Sequence, residues 1–192
     1  MKPSLRLALL GALPLLFPVL AQAHPGHDLT WDFSGGFAHP FSGWDHLLAM
    51  TAVGLWAAQL GGRARWFVPA AFVSVMALAA AGGHFFGAIP GTEQGIAASI
   101  FVLGLLIATN ARLSVAAGMM LVGGFAVFHG VAHGAEMPAT AGGFSYGMGF
   151  VLATALLHAV GLGLGFALKT RPTVARLAGG AMAVVGGLAL VT

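Results

Sequence analysis

Histidines and carboxylates gather at two places in a chain that otherwise carries few charges. The first is His39-Pro40-Phe41-Ser42-Gly43-Trp44-Asp45-His46; the second is His129-Gly130-Val131-Ala132-His133-Gly134-Ala135-Glu136-Met137-Pro138. Each borders an apolar segment of membrane length. Burying ionisable groups near lipid is costly, so by default they mark a functional site. Imidazole with carboxylate is ligand chemistry for a divalent transition metal. The chain has no cysteine, which excludes disulfides, thiolate metal sites and thiol catalysis. A metal here takes N and O ligands, with methionine as a soft supplement.

Spacing orders these groups. Pro40 suits the first turn of a helix, where its missing N–H costs nothing, so His39 is expected at the outer mouth. Asp45 and His46 follow one to two turns deeper, and Met50 shares a face with His46. His129 and His133 are four residues apart, and Glu136 is three beyond His133, so a continuing helix points all three the same way. The zinc-protease pattern His-Glu-x-x-His is absent. His84 closes another apolar segment at the same side, either joining the site or bonding a carbonyl. Glu93 opens the next segment as its only charge, serving as a helix-start acid or as an attractor of cations. His158 lies roughly 21 Å into a later segment at helical rise, past the midplane, as a relay ligand or a structural hydrogen bond. His24, His27 and Asp28 form a loose external chelator. Trp31, Trp44, Tyr146 and Trp66 fit an aromatic belt.

These residues need elements to position them, and composition supplies the class. The 192 residues are 58% hydrophobic and 7% charged, with mean hydropathy +0.92. That describes an all-α integral membrane protein. The formal charge of +3 does not signal nucleic acid, because the basic residues are scattered rather than clustered in a patch. Lys2 and Arg6, an apolar run from Leu7 to Leu20, and Ala21-Gln22-Ala23 predict a cleaved signal peptide over 1–23. Residues 24–192 then form a compact bundle of six transmembrane helices, at about 41–60, 66–86, 93–109, 112–133, 143–168 and 174–191. With the mature N-terminus periplasmic, Arg63, Arg65, Arg112, Lys169, Arg171 and Arg176 all fall in cytoplasmic turns. An uncleaved first helix places the loops identically. Gly83-x-x-x-Gly87, Gly143-x-x-x-Gly147 and Gly161-x-x-x-Gly165 are expected to let helices approach closely.

The run HPFSGWDHLLAMTAVGLWAAQLGG resembles the first-span signature of the HupE/UreJ family of bacterial nickel permeases, a His followed after five residues by Asp-His. FHGVAHGAEMP resembles the family's fourth-span signature. The resemblance covers essentially the whole chain. It implicates His39, Asp45, His46, His133 and Glu136, and by alignment Glu93 and Phe72. It implies a secondary transporter of Ni²⁺, with Co²⁺ or Zn²⁺ as further candidates, no permanently bound cofactor, and hydrogenase or urease as downstream consumers. The expected location is the bacterial inner membrane. Two rivals stand beside this reading. One is an intramembrane metal-dependent hydrolase with an activated water and Glu136 as base. The other is a bis-His haem protein, for instance through His84 and His129.

Overall fold

A computed structural model describes residues 32–137 and 143–192, together with the backbone of residues 141 and 142. The proposed signal peptide and His24, His27, Asp28 and Trp31 lie outside the described residues. Those residues form helices and no strand: α1 (Phe33–Ser42), α2 (Trp44–Leu60), α3 (Ala64–Phe86), α4 (Thr92–Thr109), α5 (Val115–Glu136), α6 (Ala141–Ala167) and α7 (Pro172–Ala189). The 5 helices α3 to α7 are each long and apolar enough to cross a membrane. The outer surface of the bundle is correspondingly greasy, with Phe86 90% and Leu78 75% exposed. Such a surface suits lipid rather than water.

The start of the bundle departs from expectation. Residues 33–60 form two helices rather than a single span from 41. The Asp32 carboxylate caps α1, accepting from the Gly35 N–H at 2.8 Å and the Ser34 hydroxyl at 2.7 Å. Phe33, Phe37 and Phe41 recur every fourth residue, and their rings stack along one side at 6.3 and 5.6 Å. Gly43, extended at φ −93° and ψ 122°, then breaks the chain direction before α2. Pro40 therefore sits near the end of a helix, not in its first turn, and His39 lies inside α1.

Glycines weld the helices into pairs. A Cβ on Gly83, Gly130 or Gly134 of α5 and α3 would strike the partner backbone at Val131, Met76 or Ala80. Gly54, Gly161 and Gly165 do the same between α2 and α6, against His158, Thr51 and Leu55. Gly104, Gly179 and Gly186 join α4 to α7. Small residues let backbones touch where lipid gives no hydrophobic drive for association. Among the expected stripes, Gly161 and Gly165 pack as foreseen, whereas Gly87 caps α3 at φ 79° with open space around it. Gly36 and Gly149 seat α1 on α6.

The two ends of the bundle differ. One end is basic and stitched by hydrogen bonds: Arg112 donates to the Leu60 carbonyl at 3.3 Å, Arg176 to Ala108 at 2.9 Å, and the Trp56 indole N–H to Ala111 at 3.2 Å. These donors satisfy carbonyls that helix C-termini leave open. The other end carries the histidines and carboxylates.

Candidate metal centre

Four imidazoles from three helices converge at that end: His39 of α1, His46 of α2, and His129 and His133 of α5. The His46 and His133 rings lie 4.4 Å apart, His39 and His133 4.7 Å, and His46 and His129 5.2 Å. The Nε2 atoms of His46 and His133 face each other in direct contact. His39, His133 and Glu136 offer ligand atoms that all lie within 4.8 Å of one another. His46, His129 and His133 are buried, and His39 is half-buried rather than on the outer surface as its spacing suggested.

Hydrogen bonds fix which nitrogens carry lone pairs. Both the Nδ1–H and the backbone N–H of His46 donate to Asp45 Oδ1, each at 2.7 Å. A carboxylate only accepts, so Nδ1 holds a proton, and in the neutral ring Nε2 presents its lone pair toward His133. Gly43 makes room for this arrangement, because a Cβ there would fall 2.7 Å from Asp45 Oδ1. Asp45 thus orients an imidazole ligand from behind. His129 is set in the same way. The Ser99 hydroxyl donates to the Ile96 carbonyl at 2.6 Å, so its oxygen accepts from His129 Nε2 at 3.1 Å. That leaves the lone pair on His129 Nδ1, which has no protein partner among the described residues.

The remaining candidates distribute around this cluster. Glu136 is exposed at the end of α5 and shares with Glu93 the lining of a cavity of about 330 Å³. The His84 Nδ1–H donates to the Met137 carbonyl at 3.1 Å, the plainer of its two readings. Its side chain and that of His133 also line a cavity of about 490 Å³ between α3, the end of α5 and α6. The exposed rings of Phe85 and Phe144 stand at the rim of this cavity. Met50 is fully buried in the apolar core below His46. His158 is 3% exposed and touches Phe72, whose ring also touches His129.

Tyr146 corrects the sequence-based expectation. It is 2% exposed with its ring 6.0 Å from that of His39, so it belongs to the interior and not to an aromatic belt. Phe150, one turn on, packs 4.3 Å from His133. Ser99, Tyr146, Phe150 and Thr154 escaped sequence reasoning. The four-residue spacing of Tyr146, Phe150, Thr154 and His158 was the available signal for a buried α6 stripe.

Imidazoles backed by carboxylate and hydroxyl, inside a lipid-facing helical bundle, suit replacement of the water shell of a divalent cation. Fold and site together describe a multi-pass membrane protein whose interior offers ligands to a metal. The model of the family HupE / UreJ protein matches residues 12–190. Protein HupE of Rhizobium leguminosarum bv. viciae is 44% identical over 183 residues, covering 92% of this chain and 93% of that protein. The chain belongs to the HupE/UreJ family, whose members are transporters and not enzymes. That sets the hydrolase rival aside. No solved structure matches the chain.

Proposed function

We propose that the chain is a secondary permease that imports Ni²⁺ from the periplasm to the cytoplasm across the bacterial inner membrane. One observation carries this reading: imidazoles on α1, α2 and α5 meet in one pocket at the end opposite the basic residues. The positive-inside rule puts the basic end in the cytoplasm and hence the pocket near the periplasm. Six spans, with α2 as the first, and a cleaved signal peptide over 1–23 complete this topology.

In this account Glu93 and Glu136 draw in the hydrated cation at the mouth. His39, His46, His133 and Glu136 replace its water, with Asp45 holding His46 in the metal-binding tautomer. His129 Nδ1 receives the ion from below. Imidazole and carboxylate also suit cobalt and zinc, because geometry rather than raw affinity separates them; the family resemblance favours nickel. The sequence holds no nucleotide-binding motif to supply an ATP drive. Hydrogenase or urease are the consumers the family name suggests.

The test is radiolabelled nickel uptake into cells at trace metal, competed with cobalt, zinc and copper. His46→Ala should lower uptake by about 100-fold or more and Asp45→Ala by about 10- to 100-fold at normal membrane levels, since the first removes a ligand and the second releases one. Uptake retained in His46→Ala would refute the proposal.

A further inference from the structure

Below the outer cluster few polar groups are buried among the described residues, and two of them, Thr154 and His158, lie on α6. Tyr146, Phe150, Thr154 and His158 of α6 are all buried and recur every fourth residue, forming one stripe that faces the bundle interior. Phe150 lies against His133. His158 is eight residues further along the helix, roughly 12 Å deeper at helical rise. Neither nitrogen of its ring has a hydrogen-bond partner among the described residues. A leucine would pack at such a place without burying two unsatisfied polar atoms. An imidazole kept there suits a polar visitor.

A series of side-chain contacts links the two levels. Met76 lines the cavity that reaches His133, and its sulfur faces the Thr154 hydroxyl at 3.9 Å. Thr154 is one turn above His158 on the same face. Beside this step stands Phe72, fully buried, with its ring 5.5 Å from His129 and 5.2 Å from His158. The His158 ring packs edge-on against Phe72. Gly54 brings the α2 backbone onto the His158 carbonyl, so that side of the station is rigid. The wall shared with His129 is the Phe72 side chain.

We propose that His158 is a second, inner ligand for the transported divalent cation, and that the Phe72 ring closes it off from the outer cluster. This rests on the permease reading. A thioether, a hydroxyl and an imidazole form a sparse, borderline-soft station, suited to brief occupancy rather than tight binding.

The test combines uptake, binding and labelling on the full chain. His158→Ala should cut nickel uptake at least tenfold while cobalt binding to the purified chain stays within threefold of the parent. His158→Met, which keeps a donor atom, should exceed His158→Phe, which keeps only bulk. Because the chain has no Cys, His158→Cys introduces a unique thiol. A small cationic thiol reagent added from the periplasmic side should label it at least tenfold faster when Phe72→Ala is also present. The inner station is overturned by His158→Ala uptake within twofold of the parent, by loss of cobalt binding in that variant, or by equal uptake in the Met and Phe variants. Equal labelling rates overturn the partition. Uptake retained in His46→Ala brings down the permease reading itself, whereas uptake lost there but kept in His158→Ala removes the inner station alone.

Discussion

The outer imidazoles and His158 are the same side chain under opposite conditions. His46 is held by Asp45 and His129 by Ser99, and their rings lie 5.2 Å apart. His158 has an aromatic ring for a neighbour and no hydrogen-bond partner among the described residues. A tight site needs its ligands fixed in tautomer and direction beforehand. A transit point needs the reverse, since an ion held too firmly does not leave. The difference between His158 and the pair His46 and His129 is thus one of support, not of residue type.

The largest effect should come from striking the outer level directly. His133→Ala removes a ring that contacts His39, His46 and Phe150. Equilibrium dialysis should show its cobalt affinity falling by about 100-fold or more, beyond what an orienting partner contributes. A His133→Ala chain that binds cobalt as tightly as His158→Ala would erase the contrast.

A smaller effect should follow from removing support while keeping every ligand. Asp45→Asn and Ser99→Ala leave all imidazoles in place but release their tautomers. Each should weaken cobalt binding by about 10- to 100-fold, the usual range for outer-shell partners of a metal ligand. Ser99→Thr retains the hydroxyl and should recover most of the loss. Unchanged affinity in both Asp45→Asn and Ser99→Ala would mean that prior orientation is not what distinguishes the outer level.

The smallest effect is on stability, and it probes the rigid wall behind His158. Gly54→Ala would drive a Cβ into the His158 carbonyl. Overpacking of this kind costs about 1–3 kcal/mol and should appear as a lower melting temperature in detergent. Gly180 faces open space, so Gly180→Ala should be neutral or stabilising by about 1 kcal/mol or less. Equal melting temperatures for the two variants would show that the α2–α6 weld yields easily.

Several features were legible because they are local. Length and apolarity marked the helices, since every backbone group in lipid must be satisfied within its own segment. The crowding of His39, Asp45, His46, His129, His133 and Glu136 in two short runs marked candidate ligands, and the fold brings their four imidazoles together. The break at Gly43 was harder to read. The first span was expected to start near residue 41, although Phe33, Phe37 and Phe41 have helical spacing. His39 moved from mouth to interior as a result, because α1 folds back along α6 on Gly36 and Gly149.

The sequence by itself determined the kind of chemistry and the kind of solvent: N and O ligands without thiolate, inside helices built for lipid. Only the tertiary structure decided which groups meet. That Ser99 fixes His129, that Tyr146 is interior, and that Phe72 touches imidazoles at two depths all depend on contacts between helices. Such contacts span 30 residues for Ser99 and His129 and 87 for His46 and His133. Periodicity reports the face a residue occupies on its own helix. It carries no information on which neighbouring helix will cover that face, because that is settled by where glycines allow two backbones to touch.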